Sequence, residues 1–500
     1  MTTLPYPTSL HPTGSAPLFI VSLQNLSKAD SVTVCSLAGV VARVTPQVYT
    51  VAGAMNDTTG DAAAFWLSEL RASHALRVDT SYLGNLPGLL ANFRSQLDGF
   101  VYYNATTSSN AALTASAAAE GRVIVASEPA TVTLLRETFA LPMVDVSGRS
   151  PLHVLNASLS SGRLSRRMAA FQPDDGSKAP HLAAYAAFGR LATVEFPTGG
   201  SAAASLLMGS LDRTPAHLTA ALGWTGWDEF QYVSRLSAAG AWAHASDWSD
   251  DLTSLSNLAV HSGLKGHGGR GRTTPPGQLL YRGPADPARA TPDGSGVGRA
   301  DAGIAPRQQR QPRHTVAFLM SDGDNLCWLQ GGWRTAQWFG APERGAVPLG
   351  WTFSPGAADL LPNVADWASA SASANDTFVG APSALGYLYP DLVSDAARLS
   401  AIADATAAQM AVAGMPSGSN LRPASAGSNL HPASSGSKHA PCIRWFKPAP
   451  SPTDLAPPES PTVQRQPHTR VPEGLLWAHP LLGAPCRVLA HGPCCGDSHC

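Results

Sequence analysis

A chain of 500 residues with 44% hydrophobic and 14% charged content is long enough for about three domains and several buried cores. A formal net charge of −1 with a pI near 6.9 offers no basic field for phosphate backbones or an anionic membrane, so no nucleic-acid partner is expected. No run approaches the roughly 18 apolar residues that cross a bilayer, so no transmembrane segment is expected either.

Residues 1–16 carry no periodic pattern and read as disordered. PLFIVSL (Pro17 to Leu23) then reads as a buried strand, SKADSVTVCSLAGVVARV as a helix opening near Ser27 or Asp30, and PQVYTVAG as the next strand. With AAAFWLSELRAS, whose Ala64, Leu67 and Leu70 fall at helical spacing, these form a first α/β domain over 17–75. LDGFVYY, GRVIVAS and LPMVDVSG are strands separated by Ala-rich helical text, giving a second α/β domain over 76–150. A third, over 170–260, contains HLAAYAAFGRLATVEF, ALGWTGWDEF and GAWAHASDWSDD. Strand and helix alternating in this way predict parallel sheets covered by helices, a multi-domain α/β fold.

Residues 261–314 have no hydrophobic period and are rich in Gly, Pro and Arg, so they read as a disordered insertion. TVAFLMSDGDN, AVPLGWTFSP and SALGYLYPD follow in a C-terminal domain over 315–415. From 416 to 500 the text turns to a GSNLRPAS/GSNLHPAS repeat and Pro-rich sequence, read as a disordered tail. Five of the seven cysteines fall in that tail, so no disulfide framework is expected in the main body. The opening MTTLPYPTSLHPTG has neither a charged nor an apolar leader region; five Asn-x-Ser/Thr acceptors (Asn25, Asn56, Asn104, Asn156, Asn375) leave secretion open, with the compartment and oligomeric state undefined.

Several apolar runs end directly in Asp, Glu, Ser or Tyr, and in parallel α/β folds chemistry gathers beyond the carboxyl ends of strands. Asp322 and Asp324 follow TVAFLM, and an extended chain through Gly323 would point both side chains one way, about 7 Å apart. Such a pair suits a general acid with a base or nucleophile; it equally suits a Mg²⁺ or Ca²⁺ ion with Asn325 assisting, or a plain Asp-Gly turn. Glu229 after GWTGW and Asp247 after AWAHAS add further acids. No cofactor is required, a divalent cation at Asp322 and Asp324 being the open alternative. Nine Trp lie between 224 and 367, among them Trp248 and Trp351; most belong in cores, while two or three flat rings in a cleft would suit the CH face of a sugar.

With SDGDN at Ser321 to Asn325 and GYLYP at Gly386 to Pro390, the chain resembles the GxGYxYP family, described as putative glycoside hydrolases. LAGVVARVTPQVY, LDGFVYYNAT, LGWTGWDE, ASDWSDDLTSLSNL and PLGWTFSP stand in the order of that family, from about Pro17 to Met415, and Ala384 replaces the first glycine of its naming motif. The resemblance implies small N-terminal α/β domains, an incomplete (β/α)-barrel-like C-terminal domain, and a carbohydrate substrate. It implies a site with Asp322, Asp324, Asn325, Tyr387 and Tyr389 in it. Combined with the residues themselves, the expected catalytic acids are Asp322, Asp324, Glu229 and Asp247, and the expected sugar contacts Asn325, Tyr387, Tyr389, Trp248 and Trp351. The alternatives are a non-catalytic carbohydrate-binding protein or inactive fragment, and a metal-dependent hydrolase at SDGDN.

Overall fold

A computed structural model describes residues 4–7, 17–51, 62–74, 76–104, 108–172, 179–195, 201–224, 229–245, 255–264, 315–381, 385–413, 415 and 487–491. The first sheet contains β1 (Leu18–Ser22), β2 (Val48–Val51) and β3 (Val78–Asp79) in the order β2-β1-β3, all parallel. The second repeats that plan with β4 (Gly99–Tyr102), β5 (Val123–Ala126) and β6 (Met143–Asp145) in the order β5-β4-β6. The third uses β7 (Met168–Phe171), β8 (Thr193–Val194), β9 (Thr219–Leu222) and β10 (Ala241–His244) in the order β10-β9-β7-β8. In each, the second strand lies on one side of the first and the third on the other. Runs such as VIVA, TAAL and AWAH are buried throughout, as parallel strands covered on both faces must be.

The helix Lys28–Ala42 starts where the Ser27 hydroxyl accepts from the Asp30 amide at 3.1 Å. It packs on β2, β5 and the helix Ala179–Gly189, so nearly every side is buried and its sequence shows no polar stripe. The C-terminal sheet has β11 (Thr315–Met320), β12 (Leu349–Phe353), β13 (Asp376–Gly380) and β14 (Arg487–His491) in the order β13-β12-β11-β14, with β14 antiparallel. It is open; no closed barrel forms among the described residues. Trp333 stacks on Phe339 at 4.2 Å and meets Trp351, Phe353, Trp367 and Phe378 edge-on, forming the aromatic centre of this domain.

The described elements run past several of the expected bounds. Within residues 1–16, Tyr6 is 9% exposed and Pro7 accepts from the Tyr185 hydroxyl at 2.8 Å, so part of the leading segment is core. The first sheet takes in β3, beyond the boundary at 75, because Leu18 and Phe19 pair with Val78 and Asp79. The third sheet begins at Met168, ahead of 170. His261 to Leu264, assigned to the insertion, are buried in a helical turn; 265–314 lie outside the described residues. In the tail, Arg487–His491 pairs with β11, which needs only an unpaired edge and five consecutive amides.

Candidate functional site

In the third sheet, β7 leads to β8 on one side and β9 leads to β10 on the other. The connections leaving these adjacent strands diverge, opening a crevice beyond their carboxyl ends, where ligands of open α/β sheets bind. Trp224 follows β9 there, and Glu229 opens the helix Glu229–Ala238, where its charge complements the helix N-terminus.

The C-terminal sheet supplies Asp322 and Asp324. The chain does not stay extended after β11: Asp322 adopts a left-handed φ of 70°, and the Asn325 amide returns to the Asp322 carbonyl at 3.0 Å. This corrects the extended reading of SDGDN. The turn is pinned to the end of β12, since the Gly323 amide donates to Thr352 Oγ1 at 3.0 Å and the Ser354 amide donates to the Gly323 carbonyl at 2.7 Å. A Cβ at 323 would overlap the Thr352 carbonyl, so the close approach requires glycine. Asn325 Oδ1 caps the helix Leu326–Gln330, accepting from the Trp328 amide at 3.0 Å. Asp324 is 7% exposed, whereas Asp322 is only partly buried.

Tyr387 joins the two sheets. Its backbone makes an antiparallel bridge to Ala243 on the edge strand β10, with N–O distances of 2.8 and 2.9 Å. Gly386 makes this possible: a Cβ there would lie 2.5 Å from the Ala243 carbonyl oxygen and 2.8 Å from the Trp242 ring. The Tyr387 ring meets Trp224 edge-on at 5.1 Å, and Trp224 meets Tyr232 at 5.2 Å. Burial pushes the phenol far above its ordinary pKa, and the charges of Asp324, Glu229 and Asp322 push the same way, as does a hydrogen bond to Asp324. A phenol that is never ionised donates, so the Tyr387 O–H points its proton at the Asp324 carboxylate. Tyr389 lies alongside, its amide donating to Ser237 Oγ at 2.9 Å and its ring 5.7 Å from Phe230.

Of the expected site residues, Asp322, Asp324, Glu229 and Tyr387 thus come together from two sheets, with Asn325 and Tyr389 adjoining them in the chain. Asp247, Trp248 and Ala384 lie outside the described residues. Trp351 does not join the cluster: it is 3% exposed, packs against Phe339 at 5.1 Å, and donates through Nε1 to Asp376 Oδ1 at 2.8 Å. Asp376 is held in turn by Arg344 at 2.7 Å. Trp351→Phe is therefore expected to cost about 2 kcal/mol of stability, by a lost buried hydrogen bond and an unfilled space, while KM stays unchanged. Denaturant midpoints and substrate kinetics on one preparation check this.

Sequence reasoning did not pick out His244, the last residue of β10, or Tyr6. His244 Nε2 lies 2.8 Å from the Tyr6 hydroxyl and 2.9 Å from Trp242 Nε1. Indole N–H only donates, so Nε2 accepts and the imidazole proton sits on Nδ1. The signal available was a histidine closing the apolar run AWAH just before the acid at 247. Burial lowers the pKa of both His244 and His261 to about 3. On acidification the unfolded chain binds protons from about pH 6.5, while the folded histidines remain neutral to about pH 3. Stability is therefore whole above about pH 6.5 and declines as pH falls below it, by up to about 1.4 kcal/mol per unit for each histidine. Urea midpoints measured from pH 7 to pH 4 read the slope, and His244→Gln should make it shallower.

Among the described residues no group of three or more His, Cys, Asp or Glu is placed to hold a metal ion, and no helix is long and apolar enough to cross a membrane. Fold and site together define a multi-domain α/β protein with carboxylates gathered around a phenol at converging strand ends. The comparisons agree with that class. Residues 312–435 match the GxGYxYP putative glycoside hydrolase C-terminal domain, 17–95 the first domain of that family and 166–257 its third; the chain belongs to the GxGYxYP family. A crystal structure of a putative hydrolase from Bacteroides thetaiotaomicron VPI-5482 shares the fold, with a TM-score of 0.59 and 21% identity over 82% of this chain and 70% of that one. No curated protein matches the chain.

Proposed function

We propose that this chain hydrolyses a glycosidic bond of a carbohydrate, using the carboxylates around Tyr387. The observation that carries the proposal is the Tyr387 hydroxyl bound to Asp324 with the charges of Asp322 and Glu229 beside it. Asp324 accepts the hydrogen bond of the un-ionised phenol and, as that acceptor, serves as the anionic partner, base or nucleophile. The proton donated to the leaving oxygen comes from Asp322 or Glu229, both more accessible than Asp324. Tyr387 positions Asp324, and Trp224 and Tyr389 offer aromatic faces to the sugar. Asp247 and Trp248, just after β10, complete the proposed set.

The test is turnover by the full chain on a panel of glycans, with Asp322→Asn, Asp324→Asn and Glu229→Gln alongside. Activity in the wild type that falls in the Asp324 variant and in one of the other two supports the reading. Sugar binding without turnover would replace it with a carbohydrate-binding role. The alternative of a divalent cation at Asp322 and Asp324 is tested by chelation: activity is expected to survive EDTA, and activity restored only by added Mg²⁺ or Ca²⁺ would favour the cation.

A further inference from the structure

The helix Glu229–Ala238 turns Tyr232, Val233 and Leu236 into the core of the third domain, as its 3.6-residue repeat requires. Phe230 stands off that stripe, directly after Glu229, and is 55% exposed. A large apolar ring left singly in water would need no explanation. This one is not single.

The Phe230 ring lies 5.7 Å from that of Tyr389, with an interplanar angle of 37°. The seat of the pair is firm: the Tyr389 amide donates to Ser237 Oγ at 2.9 Å, and Ser237 lies two helical turns beyond Phe230 on the same side of the helix. Within GYLYP, Leu388 is 3% exposed and enters the cluster that contains Trp333, while Tyr387 and Tyr389 are partly exposed and pack on the cluster around Tyr232. That alternation puts the two tyrosines on one face of an extended segment, about 7 Å apart. One aromatic pair, Trp224 with Tyr387, therefore stands at the carboxylates, and a second, Tyr389 with Phe230, stands beside it and opens to solvent.

Two apolar surfaces set next to one another suit the CH faces of two consecutive sugar units, whose hydroxyls stay at the rims. A single sugar ring held at the carboxylates would reach the inner pair alone. The geometry points to a subsite on Tyr389 and Phe230 for the sugar unit next to the cleaved bond, which makes the substrate an oligosaccharide or longer glycan rather than a monosaccharide on a small aglycone. This inference rests on the hydrolytic reading of the carboxylates and deepens it. Phe230 touches no reacting atom; it sets the preference for chain length.

The experiment is titration calorimetry on the full chain carrying Asp324→Asn, which blocks turnover, with cello-, xylo-, malto- and chito-oligosaccharides of two to five units beside their parent monosaccharides. In one series affinity is expected to rise with length. Phe230→Ala should remove about tenfold from the advantage of the longest member over the monosaccharide, and Phe230→Trp should keep it. Phe230→Ala should melt as the wild type does, because the ring it removes is largely in solvent. With Asp324 restored, Phe230→Ala should raise KM for the longest substrate far more than it changes kcat. Length-dependent binding that falls in Phe230→Ala, without turnover in the wild type, would keep the subsite and remove the hydrolysis. Turnover that is equal at every length, or that Phe230→Ala leaves unaltered, would overturn the subsite and spare the hydrolysis. Binding unaltered by Phe230→Ala overturns the subsite as well, and absence of both binding and turnover in every series removes both proposals.

Discussion

Asp324→Asn is expected to lower kcat on a cleaved glycan by about 10²–10⁴-fold while leaving the fold intact. The substitution is nearly isosteric, and the Tyr387 hydroxyl that donates to the carboxylate can donate equally to the amide oxygen, so the buried pair keeps its hydrogen bond. What disappears is the negative charge and the capacity to take a proton or attack carbon. A melting temperature close to that of the wild type, together with a collapse in kcat and little change in KM, would identify a group acting in the transition state. Turnover retained in Asp324→Asn would remove this carboxylate from the chemistry and leave Asp322, Glu229 and Asp247 to account for it.

Gly323→Ala should produce a large structural effect for a single added methyl. The added carbon would collide with the carbonyl of Thr352, a backbone atom that cannot rotate away as a side-chain tip can. Relief requires the turn to lift from β12, which breaks the bonds from Gly323 N to Thr352 Oγ1 and from Ser354 N to Gly323 O. A loss of about 3 kcal/mol or more is expected. The same movement carries Asp322 and Asp324 away from Tyr387, so activity should fall further than the folded fraction does. Denaturant midpoints measured beside specific activity per folded molecule separate the two contributions; a variant with unaltered midpoint would show that the turn has room to shift.

Much of this arrangement was legible in the text. Short apolar runs bounded by turn residues marked the strands, and acids placed directly after them marked the ends at which a site forms, because a parallel sheet presents all its carboxyl ends to one side. Asp322, Asp324 and Glu229 were picked out that way, and the fold brings them to one cluster around Tyr387. Trp351 was not separable from a cleft residue, since strands buried on both faces lack the alternation that would reveal which way a ring points. The left-handed Asp322 escaped notice because that conformation is set by Gly323 pressing against Thr352, a contact across two strands. Tyr6 and His244 meet across 238 residues, and no local pattern announces such a pair.

The stitch between Ala243 and Tyr387 carries a thermal consequence. Glu229 and Trp224 ride on one sheet and the aspartates on another; beside the site a short length of backbone ties the two, while buried Arg398 bonds to Gly240 and Thr219 farther along. A pair of backbone hydrogen bonds at a sheet edge opens far more readily than the core that the two sheets share melts. Warming should therefore silence the proposed activity at a temperature where circular dichroism still reports every helix in place, and cooling should restore it.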